Sequence, residues 1–122
     1  MSYQLVFWDR SAKLAREPRD IYKCVLRGLE VEGLPEVPWD SVNRRLTSSL
    51  VGWTQSESDP LSWGRNDDPS YGWNMSLSPN GVVFTFYGVD AKTINAVIDA
   101  MYDLGMGCYD PQVGQFFDGR EA

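Results

Sequence analysis

From Ser70 to Gly88 large apolar side chains return at every second position, first Tyr71, Trp73, Met75 and Leu77, then Val82, Phe84 and Phe86. A period of two places them on one face of paired strands and leaves Gly72, Asn74 and Ser76 on the other. Ser78-Pro79-Asn80-Gly81 separates the runs. Proline presets φ, asparagine tolerates the next turn position and glycine supplies a left-handed conformation, so the stretch predicts a hairpin closed by a G1-type bulge at Gly81.

The run from Tyr3 to Trp8 is apolar on both faces, which predicts an interior strand. A polar, basic stretch from Asp9 to Arg19 follows. The period then changes to that of a helix. Ile21, Cys24, Val25 and Leu29 recur three and four apart behind Pro18, predicting a helix over 18–30 with Gly33 as its stop. Trp39, Val42, Leu46 and Leu50 predict a second one from Pro38 to Gly52, with Arg44 and Arg45 turned to solvent. From Trp53 to Pro69 periodicity gives way to turn residues, apart from an edge strand at 61–64. Asp90 opens a third helix, with the stripe Ile94, Val97, Ile98 and Met101. Residues 108–117 read as a small terminal hairpin, turned by Asp110-Pro111 and Gly114.

The resulting order is β-α-α-β-β-β-α-β(-β). It predicts one α+β domain over residues 1–122, a ferredoxin-like antiparallel sheet of about five strands with helices packed mainly on one face. The first strand is expected at the centre, between the strand at 82–87 and the C-terminal one.

Composition narrows the chemistry more than the fold. A chain of 122 residues can bury a core without metal or disulfide staples. It contains no histidine, which removes the usual nucleophile partner, the commonest general base and the commonest zinc ligand. No phosphate-binding glycine loop, GxSxG elbow or calcium-loop spacing occurs. The expectation is therefore a protein that is not an enzyme and holds no cofactor or metal. Cys24 and Cys108 are far apart in sequence and read as free thiols. No apolar run is long enough for a membrane span or a signal peptide, so a cytoplasmic protein is expected.

The net charge of −6 is unevenly spread: residues 1–45 carry eight basic and seven acidic side chains, residues 46–122 three and ten. Such a balance disfavours nucleic acid as a ligand, because phosphate contacts need lysine and arginine. It favours a basic protein partner. Aromatics set among carboxylates are the residue types of interface anchors, since each buries much area for few rotatable bonds. The candidate partner-binding residues are Glu57, Asp59, Trp63, Asp67 and Asp68 in the loop-rich middle, and Tyr109 and Asp110 in the terminal hairpin.

The opening MSYQLVFW, the segment PWDSVNRRL and the closing CYDPQVGQFFD resemble small bacterial immunity proteins of polymorphic toxin systems. The resemblance implies a cytoplasmic, non-catalytic inhibitor that binds and occludes the active site of a cognate toxin domain, often a basic nuclease or nucleotide-modifying enzyme. A small-ligand or regulatory module on the same scaffold is the alternative, and it requires a concave apolar pocket against the sheet.

Overall fold

The computed structural model describes residues 2–11 and 16–118; the 12–15 part of the basic stretch lies outside them. The elements are β1 (Ser2–Asp9), α1 (Pro18–Leu26), α2 (Trp39–Ser49), β2 (Trp53–Gln55), β3 (Ser62–Arg65), β4 (Asp68–Ser78), β5 (Gly81–Tyr87), α3 (Ala91–Asp103), β6 (Met106–Asp110) and β7 (Gln115–Phe117). All strands join one seven-stranded sheet in the order β2-β3-β4-β5-β1-β6-β7. Every neighbouring pair is antiparallel. β1 sits inside the sheet between β5 and β6, as its two apolar faces predict.

The ferredoxin-like expectation, with about five strands and one helical face, is overturned. β2 lies in the stretch read as loop, and β2 to β5 run as an uninterrupted antiparallel meander. Helices also lie on both faces. α2 and α3 bring Val42, Leu46, Val97 and Met101 to the layer that holds Leu5, Phe7, Phe84 and Phe86. α1 brings Ile21 and Val25 to the other, against Val6, Trp8, Val83 and Tyr109. The physical reason is visible in β1 itself: a strand apolar on both sides leaves Val6 and Trp8 in water unless something covers the second face.

The chain changes face at the tip of the β4–β5 hairpin. Ser78 pairs with Gly81, so the loop is Pro79-Asn80 alone. Gly81 is not left-handed, and no G1 bulge forms. Glycine is needed there because a Cβ would stand 2.7 Å from Val25 Cγ1 and 3.1 Å from the Phe7 carbonyl oxygen, where α1 crosses the strand. Asn80 is buried and faces the α1–α2 linker. Its Oδ1 accepts from Val31 N (2.7 Å), and its Nδ2 donates to the carbonyls of Leu34 (2.9 Å) and Pro35 (3.1 Å). Val37 N adds a bond to the Pro79 carbonyl at 3.1 Å. The linker is thus strapped around the turn as it passes from one layer to the other.

α1 also ends earlier than its pattern predicts. Gly28 adopts φ 71° and Leu29 N reaches back to the Cys24 carbonyl at 2.9 Å, a C-cap that leaves Leu29 51 % exposed instead of in the stripe. Cys24 packs in the α1 layer and Cys108 in the opposite one, so the sheet separates the two thiols.

Candidate functional site

α1 covers only part of its face. The strand register runs one row of residues across this side: Thr54, Gly64, Gly72, Tyr87 and Ser2, on β2, β3, β4, β5 and β1. The next row is Ser62, Asn74, Thr85 and Gln4. Alternation places both rows on the face of Val6 and Val83 but beyond the end of the apolar cluster under α1. No large side chain rises from Gly64 or Gly72, and a cleft of about 700 Å³ opens over β2, β3 and β4.

The cleft stands on a stiff base. On the opposite side of the same strands Trp63 and Trp73 are stacked with centroids 5.7 Å apart, Trp53 meets Trp73 at 5.1 Å, and Trp63 and Trp73 are both buried. A Cβ on Gly72 would fall 1.8 Å from the Trp63 carbonyl oxygen, which excludes any other residue at that backbone crossing. The lining includes the hydroxyls and amides of Thr54, Ser62, Asn66 and Asn74. Several bond to each other: Thr54 to Asn66, and Ser62 Oγ to Asn74 Oδ1 at 2.7 Å.

The four loop carboxylates stand at the two connections at this end of the sheet, Glu57 and Asp59 between β2 and β3, Asp67 between β3 and β4, and Asp68 at the start of β4. Asp59 accepts from Leu61 N at 3.1 Å and from Ser62 Oγ at 2.8 Å, bracing the β2–β3 connection. Asp67 pairs with Arg65, whose guanidinium also lies 4.7 Å from the Tyr71 ring centre. Asp68 accepts from the Ser70 hydroxyl (2.6 Å) and backbone N–H (3.1 Å), and these bonds hold its carboxyl below the usual range. Glu57 differs from the others. It is exposed, it lines the cleft, and among the described residues it has no hydrogen-bond or ion-pair partner.

The expected aromatic anchors are not at the surface. Trp63 is 5 % exposed and Tyr109 3 % exposed. Tyr109 is stacked between Trp8 (5.7 Å) and Tyr22 (5.0 Å). Neither side chain is presented to a partner; both fill the core, because a large ring over a sheet gains most by leaving water. Asp110 is also placed apart from the other carboxylates, on β6 at the far end of the sheet. There it accepts from Tyr3 Oη at 2.6 Å and Gln112 N at 2.9 Å. That bond first, then burial and the carboxylate charge, push the Tyr3 phenol up to about 12. Burial, then Asp110, likewise push the Cys108 thiol up to about 12, which leaves it a poor nucleophile.

The exposed aromatic at the cleft is Tyr87, 43 % exposed, which the sequence pattern placed within a central strand without singling it out. Gly64 and Gly72 were missed as well. For Gly72 the signal was the small, polar alternate set of β4, which reads as an ordinary solvent face until the extent of α1 is known. Among the described residues no group of three or more cysteine, aspartate or glutamate side chains is arranged to hold a metal ion. No helix among them is long and apolar enough to cross a membrane. No family model, curated protein or solved structure matches the chain.

Proposed function

We propose that this protein is a cytoplasmic immunity protein, a non-catalytic inhibitor that binds the toxic domain of an antibacterial effector and covers its active site. The observation that carries the reading is the acidic β2–β4 end of the sheet, with an open cleft and a Glu57 that no described residue engages beside it. Three further carboxylates stand in the adjoining turns, and among the described residues the one cation that lines the cleft, Arg65, is already held by Asp67. A field of this sign draws a cationic active-site cleft and repels nucleic acid. The resemblance of the opening, the PWDSVNRRL segment and the closing CYDPQVGQFFD to immunity proteins points the same way.

The small-ligand alternative finds less support. It needs an enclosing pocket, whereas this cleft is open over the sheet.

The test is a stopped-flow and inhibition experiment with the toxin domain encoded beside this chain. A one-to-one complex should abolish the toxin's activity. Its association rate should fall as salt is raised past the point where the Debye length drops below about 10 Å, while the complex itself persists. Failure to bind or inhibit that domain at any salt concentration refutes the immunity reading.

A further inference from the structure

We propose that the cleft is the seat of one extended, arginine-bearing segment of the protein partner, laid across the Gly64–Gly72 floor with its cation at Glu57. The inference deepens the immunity reading and rests on it for the identity of the partner.

Shape and size come first. Thr54, Gly64, Gly72 and Tyr87 lie in register on four adjacent strands, so the row is about 14 Å long at the usual inter-strand spacing. About four residues of extended chain cover that distance. Neither Gly64 nor Gly72 raises a side chain at the middle of the row, and Thr54 and Tyr87 stand at its ends. The paired tryptophans behind it keep the floor from collapsing. A segment laid there is ordered by a rigid surface, which lowers the entropy cost on the side of this protein.

Chemistry then selects the occupant. An extended segment presents backbone N–H and C=O groups, and the cleft meets them with the hydroxyl and amide side chains of Thr54, Ser62 and Asn74. Arg65 is occupied by Asp67 and Tyr71, so among the described residues an acidic segment finds no unengaged lining cation. A basic one finds Glu57, which no described residue engages, and a tyrosine ring at Tyr87 on which a guanidinium can lie.

The experiment titrates the isotopically labelled full-length protein with a capped Gly-Arg-Gly-Arg-Gly peptide and with its glutamate counterpart, followed by amide NMR shifts. The arginine peptide should perturb Thr54, Glu57, Ser62, Gly64, Gly72 and Asn74, and the glutamate peptide should not. Glu57→Gln should weaken binding about threefold, the scale of one exposed ion pair. Asn74→Arg, an exposed position that a folded spectrum will verify, should abolish it by filling and charging the cleft. Equal shifts from both peptides, or shifts as large around Asp99 and Asp103 on α3 as in the cleft, overturn the proposal. Toxin binding separates the two readings. A toxin bound equally well by wild type and Asn74→Arg overturns the cleft as its seat while the immunity reading stands; peptide binding in the cleft with no toxin bound supports the seat and removes the immunity reading.

Discussion

The two ends of the sheet look alike in sequence and are opposite in structure. Each offers an aromatic beside a carboxylate, Trp63 near Asp67 and Asp68 at one, Tyr109 next to Asp110 at the other. At the β6–β7 end the aromatic side chains are turned inward. Tyr109 is clasped between Trp8 and Tyr22, Phe116 stacks on Trp8 at 4.9 Å, and Asp110 ties down Tyr3. Gln112 completes the closure by bonding the backbone of Gln4 twice, accepting from its N–H at 3.1 Å and donating to its carbonyl at 2.9 Å. Its amide stands in for a further residue of strand along β1. At the β2–β4 end the tryptophans are buried just as well, but on the face opposite the cleft, and the polar face is left open. What distinguishes the ends is coverage, since α1 packs near β5 and β7 and the apolar cluster beneath it includes no described residue of β2, β3 or β4.

The sharpest way to break this comparison is to remove the tryptophans behind the cleft. Trp73→Ala, at 1 % exposure, should lower unfolding free energy by about 3–5 kcal/mol, and Trp63→Ala should approach that loss. Urea denaturation would show it; a Trp63→Ala protein of wild-type stability would return Trp63 to the surface as an anchor. Next in size is Asn80→Ala. It leaves Val31 N and the Leu34 carbonyl without partners in a buried site, and should cost about 1–3 kcal/mol in the same assay.

A smaller effect probes the closed end. Because the phenol of Tyr3 is raised from 10.0 to about 12 in the fold, its contribution is complete below pH 10 and is lost as pH rises through 12. Tyr3→Phe should therefore lose about 1 kcal/mol at neutral pH and flatten the decline of stability across that alkaline window, as followed by equilibrium unfolding. The least effect on stability belongs to the open end. Glu57→Gln should leave stability within about 0.5 kcal/mol of wild type while slowing toxin association, a separation that no substitution at the closed end should reproduce.

Strand and helix periods were legible because each depends on residues a few positions apart. The hairpin from Tyr71 to Tyr87, the stripes of α2 and α3 and the interior place of β1 all follow from spacing. β2 was hidden because three residues of Trp-Thr-Gln carry too little pattern, and only pairing with β3 makes them a strand. The early end of α1 was marked by Gly28, but Leu29 beyond it kept the helical spacing and concealed the stop. Gly81 and Asn80 were correctly read as turn residues and wrongly explained, since their reasons lie in Val25 and in the 31–35 linker, forty or more positions away. The site divides in the same manner. Residue types and charge by themselves determined that the middle of the chain is acidic and aromatic-rich and that the chain has no histidine. Only the tertiary structure decided that Trp63 and Tyr109 serve the core, that most of the carboxylates serve their own turns, and that a cleft over Gly64 and Gly72 lies beside Glu57. The reason is that exposure belongs to whatever packs on a face, and α1, which leaves this one uncovered, is set in place by contacts no local pattern records.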